Sequence, residues 1–175
     1  SGNITASKNI KGSGKTMSDK NVLIVLGGLP ASGKSTYAEM LVASGIFQRV
    51  CPDLIRKELY GDENIQGDGA RVFKIAYHDI REYGCLCENV VFDDTNINAD
   101  RRKELVKSMR GYFDIIIFKW FSTPFATCVA RNEERERQVP FDVMKRMALY
   151  FQPPTMEEGW DYIEEIKNYF YERVN

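Results

Sequence analysis

The stretch from Val22 to Thr36, VLIVLGGLPASGKST, constrains the fold of this chain more than any other. Five apolar residues run into a glycine-rich loop. In it Gly28 is followed by four spacers and then Gly33-Lys34-Ser35, the spacing of a Walker A loop. The apolar run reads as a buried parallel strand. The glycines let backbone N–H groups curl round phosphate oxygens, and a helix opening near Lys34 aims the positive end of its dipole at them. Gly28, Ala31, Ser32, Gly33, Lys34, Ser35 and Thr36 are therefore the expected phosphate cradle of ATP. Lys34 is expected on the β- and γ-phosphates and the Ser35 hydroxyl on Mg²⁺. A second Walker-like ending, Gly12-Ser13-Gly14-Lys15-Thr16, has Asn9 in place of the first glycine and no strand before it, so it reads as linker.

Downstream, apolar strand-like runs alternate with helical patterns. Thr36 to Ser44 reads as a helix stopped by Gly45, Phe47 to Cys51 as a strand, and Pro52 to Gly61 as a short helix. After a Gly/Asp/Asn-rich loop, Ala70 to Tyr83 carries one apolar helical face and Gly84 reads as its stop. Asn89 to Phe92 reads as a strand, and Asn98 caps a helix from Ala99 to Met109. Phe113 to Phe121 is a further strand, and Thr123 to Ala130 and the segment from Pro140 to Tyr150 are helices. Trp160 to Ile166 is a last edge strand. Such alternation predicts an α/β fold, a parallel sheet with helices on both faces and a ligand at the strands' carboxyl ends.

At 175 residues the chain suits a single domain, taken as 21–175. Residues 1–20 are polar and Ser/Gly/Lys-rich, a disordered leader or in part a remnant of expression. No apolar run approaches the roughly 20 residues of a membrane span, and the balance of residue types predicts a soluble, cytoplasmic protein. Cys51, Cys85, Cys87 and Cys128 lack zinc-site spacing and read as reduced, mostly buried thiols. A net charge of −1 argues against a protein that coats long stretches of nucleic acid, while leaving room for a local basic pocket.

Three further clusters carry chemistry. Asp53 and Arg56 fall on one side of a first helical turn, where a general base and an anion-binding guanidinium would serve an acceptor; a helix cap beside a surface arginine fits the spacing equally well. Asp93-Asp94 after an apolar strand resembles a Walker B carboxylate. Asp94 is preferred as the residue holding Mg²⁺ because Asp93 is expected to turn back into the sheet. The run from Arg131 to Val139, RNEERERQV, reads either as a solvated helix face or as a kinase lid whose arginines neutralise charge on a transferred phosphoryl group. Arg131 and Arg135, four apart, are favoured over Arg137. His78, the only histidine, reads as packing or surface.

Taken in order, the Walker loop, Asp53-x-x-Arg56, Asp94-Thr95-Asn96 with Asn98 and Arg101-Arg102, and Arg131-Asn132 with Arg135, Val139-Pro140 and Asp142-Val143 form a pattern. From Val22 to Tyr150 that pattern resembles the 5′-kinase domain of bacteriophage-type polynucleotide kinases and related end-healing kinases. The resemblance implies a P-loop kinase fold with adenylate-kinase-like strand order and a lid over about 131–139. It implies transfer of the ATP γ-phosphate, with Mg²⁺, to the 5′-hydroxyl of a DNA or RNA end. It further implies Lys34 and Ser35 on phosphate and metal, with Asp53 as general base or second metal ligand. Arg56 would lie on the acceptor's neighbouring phosphate, Asp94 in support of that site, and Arg131 and Arg135 in the lid on ATP. The catalytic residues would then be Lys34, Asp53 and Arg135. A phage origin is compatible with it. The phosphatase signature of the family's bifunctional members is missing, because Phe92-Asp93-Asp94-Thr95 has the wrong spacing, so no phosphatase activity is expected. The lid is short and acidic, which keeps Arg135 and Arg137 both in play. A small-metabolite or nucleoside kinase and a non-catalytic nucleotide-binding module are the alternatives.

Overall fold

The computed structural model describes residues 3–6, 16 and 19–167. Leu23, Ile24, Val25 and Leu26 are all buried, which fits only a strand covered on both faces. The elements in chain order are β1 (Asn3–Ala6), β2 (Val22–Gly28), α1 (Lys34–Ala43), β3 (Phe47–Val50), α2 (Pro52–Tyr60), α3 (Gly69–Cys85) and β4 (Asn89–Phe92). They continue with α4 (Ala99–Met109), β5 (Ile115–Phe121), α5 (Phe125–Glu133), α6 (Phe141–Tyr150), a 3-10 turn (Met156–Glu158) and β6 (Tyr162–Ile166).

The sheet runs β1-β6-β5-β2-β4-β3, with every neighbouring pair parallel except β1–β6. β2 lies between β5 and β4, pairing Val22–Gly28 with Ile115–Phe121 and Leu23–Val25 with Val90–Phe92. Its alternate residues build two cores. Leu23 and Val25 join the larger one with Val72, Ala76 and Ile80 of α3 and Leu105, Val106 and Met109 of α4. Ile24 and Leu26 join the smaller one with Tyr37 and Ala38 of α1 and Phe121 of β5. Truncating one of these β2 side chains to Ala should cost about 2–5 kcal/mol. The α/β class, parallel sheet and P-loop kinase fold expected from the sequence are thus present. Among the described residues, no helix is long and apolar enough to cross a membrane.

Several boundaries differ from expectation. The segment set aside as a leader supplies β1, and its Walker-like ending lies outside the described residues except Thr16. Because β1 covers β6, the last strand is internal and not an edge. α1 begins at Lys34, two residues early, because Gly33 takes a left-handed N-cap conformation with φ 110°. α3 runs through Gly84, which is a packing residue and not a stop. A Cβ there would come within 2.9 Å of the Tyr112 side chain. β5 starts at Ile115, since the Asp114 backbone N–H bonds to the Asn21 carbonyl and side chain instead of joining the ladder. Of the four thiols only Cys51 and Cys128 are buried, while Cys85 and Cys87 at the end of α3 are exposed.

Candidate active site

The carboxyl ends of β2, β3 and β4 open into one cleft of about 1940 Å³, well beyond the roughly 300–1,000 Å³ of a single small-ligand pocket. Its floor is the Walker loop. Gly28 needs its positive φ of 139° and leaves no space for a Cβ, which would sit 2.8 Å from the Phe121 carbonyl oxygen. Ala31, Gly33, Lys34, Ser35 and Thr36 line the cleft. Gly28 and Ser32 lie behind the loop. Ser32 is fully buried, its N–H bonded to the Leu29 carbonyl and its own carbonyl accepting from the Thr123 hydroxyl. The Lys34 ammonium donates to the Gly28 carbonyl at 2.9 Å, the Leu29 carbonyl at 2.6 Å and the Ser32 hydroxyl at 3.4 Å. Burial lowers the Lys34 pKa, opposed by Asp93 and Asp94 and assisted by the charge of Arg135.

The two adjacent aspartates divide as the strand pleat requires. Asp93 is buried and accepts from Arg49 of β3, Nη2 at 2.6 Å and Nε at 3.1 Å, which ties two strand ends together. Asp94 faces the cleft, and burial raises its pKa to about 6. The Thr95 backbone N–H opposes that rise, and the charge of Asp53 adds to it. Asn96 holds this loop to the Walker strand. It sits at φ 44° and its side-chain amide donates to the Leu26 carbonyl at 2.6 Å. Alongside, the Gly28 N–H bonds to the Thr95 carbonyl at 2.9 Å.

Asp53 enters from the first turn of α2, fixed by Pro52 at the helix start. Its Oδ1 accepts from Arg56 Nη1 at 2.9 Å, and its side chain is 46% exposed, which leaves it open to an incoming group. Arg56 is largely buried, and its Nε has no hydrogen-bond partner among the described residues. Arg131 leaves the last turn of α5, and Arg135 is exposed in the loop beyond it; both line the cleft. Arg137 instead reaches Asp53 Oδ2 at 3.1 Å. His78 lies on the exposed surface.

Three roles were not read from the sequence, although Asn132, Arg101 and Arg102 stood in its pattern. Asn132 is buried, and its side-chain amide closes the loop like a backbone group, donating to the Val139 carbonyl at 2.8 Å and accepting from the Val139 N–H at 2.9 Å. Arg102 is also buried. Its Nε and Nη2 form a fork on Glu158 at 2.7 and 3.0 Å, and its Nη1 donates to the Asn96 carbonyl at 2.9 Å. The third is that Phe73, Lys74 and Tyr77 of α3 and Arg101 of α4 line the cleft. The i, i+4 spacing of Phe73 and Tyr77 was legible as an apolar face; that this face continues from the core into the cleft was not.

With this geometry in place, residues 23–154 match the AAA_33 family model, described as an AAA domain. The chain is 27% identical over 149 residues to L-seryl-tRNA(Sec) kinase of Methanococcus maripaludis, spanning 80% of this chain and 56% of that protein. It is 26% identical over 156 residues to the bifunctional polynucleotide phosphatase/kinase of Schizosaccharomyces pombe, spanning 85% of this chain and 34% of that protein. Among solved structures, a chain of the Pnkp1/Rnl/Hen1 RNA repair complex superposes with a TM-score of 0.69 at 21% identity, over 79% of this chain and 46% of that one. The last likeness is one of fold. The chain therefore spans about half, or less, of the curated relatives it matches.

Proposed function

We propose a polynucleotide 5′-hydroxyl kinase, starting from the fact that this chain belongs to the AAA_33 family of AAA domains. The observation that carries the reading is one cleft lined by a Walker loop, by Asp94 and by the Asp53/Arg56 pair, with room for donor and acceptor together. β1 and residues 21–167 act as one kinase domain in the cytoplasm, with 131–139 as its lid. The relatives whose names include polynucleotide phosphatase/kinase and L-seryl-tRNA(Sec) kinase support a hydroxyl acceptor carried on nucleic acid.

In this reading Lys34 leaves the loop carbonyls for the β- and γ-phosphates of ATP, and the N–H groups at the start of α1 hold the same oxygens. Arg131 and Arg135 neutralise charge on the transferred group. Asp53 accepts the proton of the acceptor hydroxyl as its oxygen bonds to the γ-phosphorus and the bond to the β,γ-bridging oxygen breaks, leaving ADP. Arg56, which lines the cleft beside Asp53, holds an anionic group of the acceptor. Phe73 and Tyr77 offer aromatic faces to a base, and Lys74 and Arg101 offer charge to a phosphate. The Ser35 hydroxyl and the Asp94 carboxylate are hard oxygen donors suited to Mg²⁺. Asp94, raised by burial and by neighbouring carboxylates, gains from a cation beside it. Mg²⁺ bound there would screen phosphate charge.

Transfer of labelled γ-phosphate from ATP to single-stranded, duplex and RNA 5′-hydroxyl ends, seryl-tRNA, mononucleotides and small hydroxyl metabolites tests the reading. Label is expected on nucleic-acid 5′ ends. Asp53→Asn is expected to lower transfer about 10²–10⁴-fold with nucleotide binding retained. Transfer confined to metabolites, or an unimpaired Asp53→Asn, would sink it.

A further inference from the structure

Arg137 makes a set of contacts that a phosphate-clamping lid arginine does not need. Its Nη1 donates to Asp53 Oδ2 at 3.1 Å and lies 3.6 Å from Glu63 Oε2. Its Nε donates to Asn64 Oδ1 at 2.7 Å and its Nη2 to the Glu63 carbonyl at 3.3 Å. One guanidinium therefore joins the loop after α5, the loop after α2 and the first turn of α2. Arg135, two residues earlier, is the loop charge felt by the Lys34 ammonium. The lid loop thus divides its arginines between the two halves of the cleft.

We propose that Arg137 is an acceptor-side positioning residue: it pins residues 62–68 against the lid loop across Asp53 and sets that carboxylate for the acceptor, leaving the donor to Arg131 and Arg135. The proposal rests on the reading of Asp53 as the acceptor-side base. Asp53 then has one oxygen on Arg56 and the other on Arg137, so its carboxylate plane is fixed from both sides while each oxygen keeps a further lone pair for a hydroxyl proton. A planar fork makes such a connection and an ammonium does not, since the three donors of Arg137 leave in fixed directions toward partners on two different segments. The loop it pins borders the acceptor half of the cleft, where Asn64, Gln66 and Gly69 contribute to the wall. The Asn132–Val139 clasp is what brings Arg137 within reach, because it draws the ends of the loop together.

Arg137→Gln, Arg137→Lys and Asn64→Ala, each read in two ways, test this. Backbone hydrogen exchange with a non-hydrolysable ATP analogue present should be about tenfold faster at residues 62–68 in Arg137→Gln, and unchanged at residues 28–36. With whichever hydroxyl acceptor the wild type phosphorylates, KM for the acceptor should rise about tenfold while KM for ATP stays within twofold. Arg137→Lys should restore only part of the acceptor KM, and Asn64→Ala should shift it in the same direction by less. Unchanged exchange at 62–68 would overturn the proposal, as would a loss confined to ATP affinity. If the wild type phosphorylates no 5′-hydroxyl end, the polynucleotide-kinase reading fails on its own account, and the exchange measurement still decides whether Arg137 pins the loop.

Discussion

Asp94 sits where burial and two neighbouring carboxylates oppose its charge, with only the Thr95 N–H and the Lys34 charge in its favour. Its carboxyl titrates at about 6, against about 4 for an unfolded aspartate. Between those values the folded chain keeps a proton that the unfolded chain has lost, so stability falls as pH rises from about 4 to about 6 and stays reduced above that. A shift of this size corresponds to at most about 2–3 kcal/mol. Asp94→Asn removes the penalty. In metal-free protein it should melt a few degrees above wild type at pH 7.5 and close to it at pH 4.5, as followed by circular dichroism. Equal Tm differences at both pH values would contradict the burial account. That Asp93 turns back toward the sheet was legible because successive strand residues face opposite ways; Arg49 takes it up there, although both aspartates border the cleft. The second contact of Asp53, with Arg137, was not legible, because its partner is 84 residues away.

At the scale of elements, the loop between α5 and α6 owes its shape to one side chain. Asn132 pairs with both backbone groups of Val139, doing for a seven-residue separation what a strand partner does in a sheet. Removing it takes a hydrogen bond from each of the partly buried Val139 N–H and carbonyl, a local cost of about 0.5–1.5 kcal/mol per bond. Asn132→Ala should therefore make the bonds after Arg135 and Arg137 more sensitive to trypsin in the native state and lower transfer at least tenfold, with the overall Tm down by only a few degrees. Asn132→Asp, which keeps the acceptor but loses the amide donor, should fall between. Wild-type trypsin resistance in the alanine variant would show that the loop closes without the clasp. The neighbouring element starts and stops were readable from local chemistry: Asn98 caps α4 by accepting from the Arg101 N–H, and Gly61 ends α2 at φ 76°. Where local signals misled, a tertiary contact decided. Gly84 looks like a stop and is a packing site against Tyr112 and Phe113. Arg102 reads as one more surface arginine until Glu158, 56 residues on, is seen beneath it.

For the whole molecule, the decisive point is that the site and the core share one strand. β2 carries Leu23 and Val25 into one core and Ile24 and Leu26 into the other, then becomes the loop that opens α1. That loop is joined to the end of β4 by the Gly28–Thr95 and Asn96–Leu26 hydrogen bonds. The alternation of elements made this arrangement legible, since a buried apolar strand followed by a phosphate loop has few other places to go than the centre of a parallel sheet. Addition of β1 beyond β6 was not legible, because the alternation of Asn-Ile-Thr-Ala spans only four residues inside a Ser/Gly/Lys-rich segment. A loop this firmly continuous with the sheet centre cannot unfold alone, so nucleotide bound to it should stabilise the entire cooperative unit. At a free nucleotide concentration of 100 times Kd the gain is about 2.7 kcal/mol, which for a domain of this size raises Tm by roughly 5–10 °C. Lys34→Ala should abolish most of that shift at the same nucleotide concentration. Its own Tm without nucleotide should fall by only a few degrees, because the hydrogen bonds lost to the Gly28 and Leu29 carbonyls are offset by removing an ammonium that burial disfavours. A calorimetric scan in which nucleotide at 100 times Kd protects only part of the transition would mean that the loop opens independently of the sheet, and would break the link between the central strand and the site.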